Sequence, residues 1–134
     1  MHANDANMEK ILYKDLSFQI YGLLFKTHNE LGRFRNEKQY GDKLEQLFKD
    51  KKINYLRELN LPPSFIGEQK NRNRIDFIVD DKIIIECKTK TMLTKDDYFQ
   101  TLRYLTTFNK RLGILVNFRQ IYLKPKRIVN PNIK

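Results

Sequence analysis

Apolar positions along this chain change their spacing several times, and each change marks an element. From Asp15 onward Leu16, Ile20, Leu23, Thr27 and Leu31 recur at helical intervals, with Leu12 extending the pattern upstream and Gly32 as a natural stop. Tyr40, Leu44, Leu47 and Phe48 form a second stripe, which predicts a helix from about Asn36, a good N-capping residue, to Lys51. Ile53 to Leu59 reads as a strand, and Pro62-Pro63 then breaks the chain into a loop containing Gly67, Asn71 and Asn73. Two short apolar runs follow, Arg74–Val79 and Lys82–Lys88, a hairpin's length apart across a tight Asp80-Asp81 turn. Thr94 predicts the N-cap of a helix over 95–109, with Asp96 and Asp97 placed for its dipole and Tyr98, Leu102 and Leu105 as its apolar stripe. Leu112 to Phe118 is the most apolar strand, and a last strand or pair covers 120–129. The order is α-α-β-β-β-α-β-β, an α/β fold without repeat or linker.

Composition narrows the class. A length of 134 residues suits one core, and 40% apolar with 12% aromatic residues suits a folded chain. The pattern predicts a structureless lead-in over 1–9, one domain over 10–130 and a polar tail over 131–134. No apolar run is long enough to span a bilayer, and no signal-peptide pattern opens the chain, so a cytoplasmic protein without membrane partners is expected. One cysteine, Cys87, excludes an internal disulfide, a cysteine-ligated cluster and a zinc ribbon. The net charge of +10 is uneven. From Tyr98 to Lys134 there is no acid, while Arg103, Lys110, Arg111, Arg119, Lys124, Lys126, Arg127 and Lys134 are basic. Such a surface attracts polyanions through counterion release, and Arg74 adds to it.

The candidate chemistry sits in the two runs around the Asp80-Asp81 turn. Along a strand side chains alternate, so Glu86 and Lys88 face one way while Ile85 and Cys87 face the other. Asp76 lies on the preceding run, close enough to join them. Hard cations such as magnesium take oxygen ligands and keep several waters, so two carboxylates plus a backbone carbonyl suffice from the protein. Lys88 would orient a water or stabilise charge on phosphoryl oxygens. The same three charges would also make a cross-strand salt-bridge cluster on a solvated face, where such pairs contribute little. Glu37 shares a helix face with Tyr40 and Leu44 and is either one more acid aimed at the site or a first-turn acid serving the helix dipole. Gln100 and Tyr104, four apart, share a helix face that is either solvated or lines a substrate groove, with Arg103 beside it reaching a phosphate. The candidate metal set is Asp76, Glu86, Cys87 and Glu37, although the Cys87 side chain, facing away from Glu86 and Lys88, reads as a small buried residue. No nucleophile arrangement of serine, cysteine or histidine appears, nor a glycine-rich phosphate loop; His28 reads as a surface or satisfied helix residue.

These residues resemble the PD-(D/E)XK, or restriction-endonuclease-like, nuclease superfamily. The pattern is Asp76, nine residues, then Glu86-Cys87-Lys88, followed by Gln100-Thr-Leu-Arg-Tyr104 on the next helix. More closely the chain is similar to the small GxxExxY proteins, through His28-Asn-Glu-Leu-Gly32, Glu37-Lys-Gln-Tyr40, Arg74-Ile-Asp-Phe-Ile-Val79 and Leu112-Gly-Ile-Leu-Val-Asn-Phe118. Ile75 stands where a proline is usual, and Phe34 replaces the first glycine of GxxExxY. The resemblance implies a mixed central sheet flanked by helices and a magnesium- or manganese-dependent site at the sheet edge. In that reading Asp76 and Glu86 bind metal, Lys88 is the catalytic lysine, Glu37 is the upstream acid, and Gln100 and Tyr104 orient lysine, water or phosphate.

The expected function is metal-dependent hydrolysis of nucleic-acid phosphodiester bonds, with DNA put before RNA and the basic C-terminal third tracking the backbone. The rival is a nucleic-acid-binding or interaction module that keeps the fold without turnover. A chain this small, with no separate specificity module, suits ends, single strands or junctions, or work within a homodimer or larger complex.

Overall fold

The computed structural model describes residues 11–69 and 73–133; the expected lead-in, Asn71 and the last tail residue lie outside them. Among the described residues three helices and five strands follow one another as α1 (Lys14–Leu31), α2 (Glu37–Asp50), β1 (Tyr55–Asn60), β2 (Arg74–Val79), β3 (Ile83–Lys88), α3 (Lys95–Phe108), β4 (Leu112–Asn117) and β5 (Lys126–Val129). The expected element order holds, although 120–125 forms turns, leaving one final strand. Among the described residues no helix is long and apolar enough to cross a membrane.

Local chemistry ends each helix where the sequence says it should. Gly32, at φ 74°, closes α1 in a backbone region that favours glycine. Asn36 opens α2 with a reciprocal capping box, its side chain accepting from the Gln39 N–H while Gln39 accepts from the Asn36 N–H. Thr94 and Asp97 do the same for α3. Asp80 and Asp81 both take positive φ, as a two-residue turn between twisted strands requires.

The strands form one sheet in the order β1-β2-β3-β4-β5. Only β3 and β4 run parallel, with α3 as their crossover, so the sheet is mixed. Both faces are covered. On one, Ile83, Ile85, Cys87, Ile114 and Val116 pack under α1 and α2 against Ile20, Leu24, Leu44 and Phe48. On the other, Ile84, Leu115 and Ile128 pack under α3 against Tyr104 and Leu105. A strand covered on both faces reads as a continuous apolar run, which is why β4 is the most apolar segment.

The buried face of α3 is Asp97, Thr101, Tyr104 and Leu105, not the expected Tyr98, Leu102 and Leu105 stripe. Tyr98 is exposed. The helix approaches β4 at Gly113, where an added Cβ would meet the Thr101 Cγ2 at 2.9 Å, so a small β-branched residue takes the centre of the contact. That rotates Tyr104 inward and Tyr98 out.

Candidate active site

The site lies where the sheet forks. Pairing between β2 and β3 stops at Phe77 with Ile85, whereas β2 stays with β1 as far as Arg74 and β3 stays with β4 as far as Lys88. Beyond the last rung, carboxylates replace the missing ladder. The Asp76 N–H donates to Glu86 Oε2 at 3.0 Å, and the Cys87 N–H donates to Asp76 Oδ2 at 2.7 Å. Two backbone donors that a regular sheet would pair with carbonyls are thus satisfied by acids, and the wedge keeps the strands apart. On the far side of Asp76, Glu58 holds φ 57° inside β1, a conformation costly for a side-chain-bearing residue and concentrated at functional sites.

The fork opens into a cavity of about 600 Å³ walled by the start of α2, β1, the fork itself and α3. Glu86 is 2% exposed. Burial first, and the neighbouring Asp76 charge second, push its carboxyl well above the ordinary range. Burial raises Asp76 as well, against the Cys87 N–H that favours its charged form. Among the described residues no cation stands within ion-pair distance of either acid. Two adjacent buried carboxylates cannot both ionise cheaply without a proton or a cation between them. An oxygen-liking divalent cation fits this donor pair.

Lys88 leaves β3 on the same face as Glu86, and its amine donates to Gln100 Oε1 at 3.1 Å. Its backbone is fixed from β4: the Phe118 N–H donates to the Lys88 carbonyl, and buried Asn117 bonds both the N–H and the carbonyl of Lys90. Tyr104 is buried behind Gln100, its hydroxyl pushed up to about 12 by burial and by the Glu86 charge. Glu37 lines the cavity from the first turn of α2, largely open to solvent yet close enough for burial and the Asp76 charge to raise its carboxyl.

A family model for the PD-(D/E)XK nuclease superfamily matches residues 14–128. The chain belongs to that superfamily. No curated protein matches it. The crystal structure of SSO0001 is similar at 27% identity and a TM-score of 0.53 over 68% of this chain, which spans about half (48%) of that one.

Against the expected residue set, this PD-(D/E)XK chain assembles Asp76, Glu86, Lys88, Gln100, Tyr104 and Glu37 around one cavity. It does not gather the expected metal set. Among the described residues no three Asp, Glu, His or Cys side chains converge as a metal cage. Glu37, the first residue of α2, is exposed, whereas Glu86 is buried. The Cys87 thiol packs in the core under α1 and α2, where burial holds it protonated, so at the fork this residue presents its backbone. His28 is satisfied as expected, bonding the Gln120 carbonyl at 2.8 Å.

The basic residues are not one surface. Arg74 lines the cavity. Lys110 is tied to Asp81 at 2.7 Å, and with Arg111 it sits at the opposite end of β4 from the fork. Arg127 reaches back to the Leu12 carbonyl. Lys124 is exposed just before β5, Lys126 is exposed at its first position, and Arg103 is exposed on α3. Arg119 follows β4 at the fork end.

Arg57 is a cavity residue that the sequence reading missed. It lines the wall from β1, bonded to Asp42 at 2.7 Å and Glu45 at 3.3 Å, and stacked over Phe77. Gly41 makes room for it, since a Cβ there would meet Arg57 Nη2 at 2.5 Å. The signal was parity: Arg57 lies two residues after Tyr55, which packs inward on the α1 and α2 side, and an inward arginine beside the Asp76 strand needs acids or a ligand.

Proposed function

We propose that this PD-(D/E)XK protein is a metal-dependent nuclease of the GxxExxY type that hydrolyses nucleic-acid phosphodiester bonds, DNA before RNA. The observation that carries the reading is the fork, where the adjacent Asp76 and Glu86 carboxylates form no ion pair among the described residues and Lys88 is held beside them by Gln100. Asp76 and Glu86 would hold magnesium or manganese, which when bound neutralises phosphoryl charge and makes a coordinated water more acidic. The chain's own groups do the rest. Gln100 fixes the Lys88 amine, leaving its other two protons for the attacking water and a phosphoryl oxygen. Arg74 and Arg57 line the cavity wall beside acid partners, Arg74 near Glu58 and Arg57 on Asp42 and Glu45, and their remaining N–H groups are placed to donate to a phosphate. Glu37 lines the same cavity from the start of α2 and can accept a hydrogen bond from the water.

One observation favours the rival, a binding module without turnover: no third acid converges on the pair among the described residues. Incubation with mixed single- and double-stranded DNA and RNA decides between them, in magnesium, in manganese and in chelator, beside a Lys88→Ala variant. A nuclease gives metal-dependent cleavage that falls by two or more orders of magnitude, roughly the size of a lost transition-state donor, in the variant. Salt-sensitive binding with no cleavage in either metal would leave the module reading. We also infer a homodimer or larger complex as its setting.

A further inference from the structure

Phe34, in the turn between α1 and α2, is an exposed aromatic side chain three residues before the cavity residue Glu37. It is 75% exposed, with the Arg33 guanidinium 4.8 Å and the Arg119 guanidinium 5.7 Å from its ring centroid. This turn is built, not loose. The Tyr40 hydroxyl donates to the Gly32 carbonyl and accepts from the Arg35 N–H, and the Tyr40 ring stacks on Phe118 at 4.2 Å and 5°. Arg33 donates to the Arg119 carbonyl at 2.8 Å, and Arg119 donates to the Arg35 carbonyl at 3.3 Å. So a large apolar ring is held out in water by a rigid frame.

The charges around it point to the occupant. Arg33, Arg35 and Arg119 bond only backbone carbonyls, and none has a carboxylate partner among the described residues. Guanidinium groups left unneutralised beside an exposed ring suit a polyanion that also carries flat aromatic faces. Position fits as well. Phe34 is three residues from Glu37, hence within ~10 Å of chain from the cavity wall. Arg119 follows Phe118, whose N–H bonds the Lys88 carbonyl. In a duplex each base is already stacked and paired, so only an unpaired base offers its face. The geometry points to Phe34 as a stacking platform for an unpaired nucleobase, with Arg33 and Arg119 on the adjoining phosphates, so that the strand entering the cavity is single-stranded there. This deepens the nuclease reading and rests on it for the direction of the strand.

The chain contains no tryptophan, so a Phe34→Trp variant reports on the platform alone. In chelator, an oligothymidylate of ~12 nucleotides is expected to quench its emission to saturation while a blunt hairpin duplex does not. By anisotropy of a labelled strand, Phe34→Ala and Phe34→Leu should bind the oligothymidylate about 5- to 100-fold more weakly, and Phe34→Tyr close to the unsubstituted protein. Circular dichroism checks that each variant is folded. Unchanged affinity in Phe34→Ala, full affinity in Phe34→Leu, or saturated binding without quenching overturns the platform. If the unsubstituted protein cleaves with metal while Phe34→Ala keeps its affinity, only the platform falls. If it neither binds nor cleaves any nucleic acid, the nuclease reading falls and the platform with it.

Discussion

Single residues at the fork carry opposed demands of stability and function. Glu86 and Asp76 retain protons in the folded state at pH values where the unfolded chain has released them, so folding binds protons and stability falls as pH rises. Metal-free protein should therefore lose melting temperature from pH ~4.5 up through the raised carboxyl range of the pair. Glu86→Gln, which keeps an oxygen for the Asp76 N–H, should flatten that slope; melts at a series of pH values in chelator measure it, and an unchanged slope would place the burden elsewhere. The glycines separate in the same way. Gly22 is exposed in mid-α1 with nothing within 4 Å of an added Cβ, so Gly22→Ala should stabilise by about 0.5–1 kcal/mol. Gly41→Ala should destabilise instead by about 1–3 kcal/mol, because the methyl group meets a guanidinium pinned by Asp42. Urea titrations read both signs, and an Arg57→Ala background should turn the second towards a gain.

At the scale of elements, α3 joins the two sides of the site. It carries Gln100 and Tyr104 into the cavity only because it lies close on β4, and Gly113 sets that distance. Gly113→Ala should cost about 1–3 kcal/mol, since Thr101 and Leu105 are both buried against the position. It should also lower activity more than a distant substitution of equal cost, because lifting α3 moves Gln100 away from Lys88. Equal loss of activity in a stability-matched control would mean that the spacing of α3 does not tune the lysine. The start of α3 adds a further constraint: Asp97 caps the helix and holds Lys90 at 2.9 Å, so cap, post-β3 segment and β4 form one unit.

For the whole molecule, the forked sheet is a preformed socket whose acids form no ion pair among the described residues. Any cation that binds folded but not unfolded chain stabilises it, by ~2.7 kcal/mol at a hundredfold excess over Kd. Magnesium or manganese should raise the melting temperature by several degrees, and Asp76→Asn should abolish the rise; a shift that survives in the Asp76→Asn, Glu86→Gln double variant would locate the metal elsewhere. Much of this was legible in the chain. Hydrophobic period, capping residues and turn chemistry act over a few residues, so they determined the elements, their order and the acid–acid–lysine spacing before any fold was known. The pairing of Gln100 with Lys88 was legible as a motif but acquires its meaning only from the bond that α3 delivers. What tertiary structure alone decided is long-range: the fork that replaces ladder bonds with carboxylates, Glu37 exposed while Glu86 is buried, Arg57 in the wall, and the dispersal of the basic residues. Those depend on how closely α3 and α2 approach the sheet, which is set by side-chain volume at contacts such as Gly113–Thr101 and Gly41–Arg57, and no one-dimensional pattern records a distance between residues far apart in the chain.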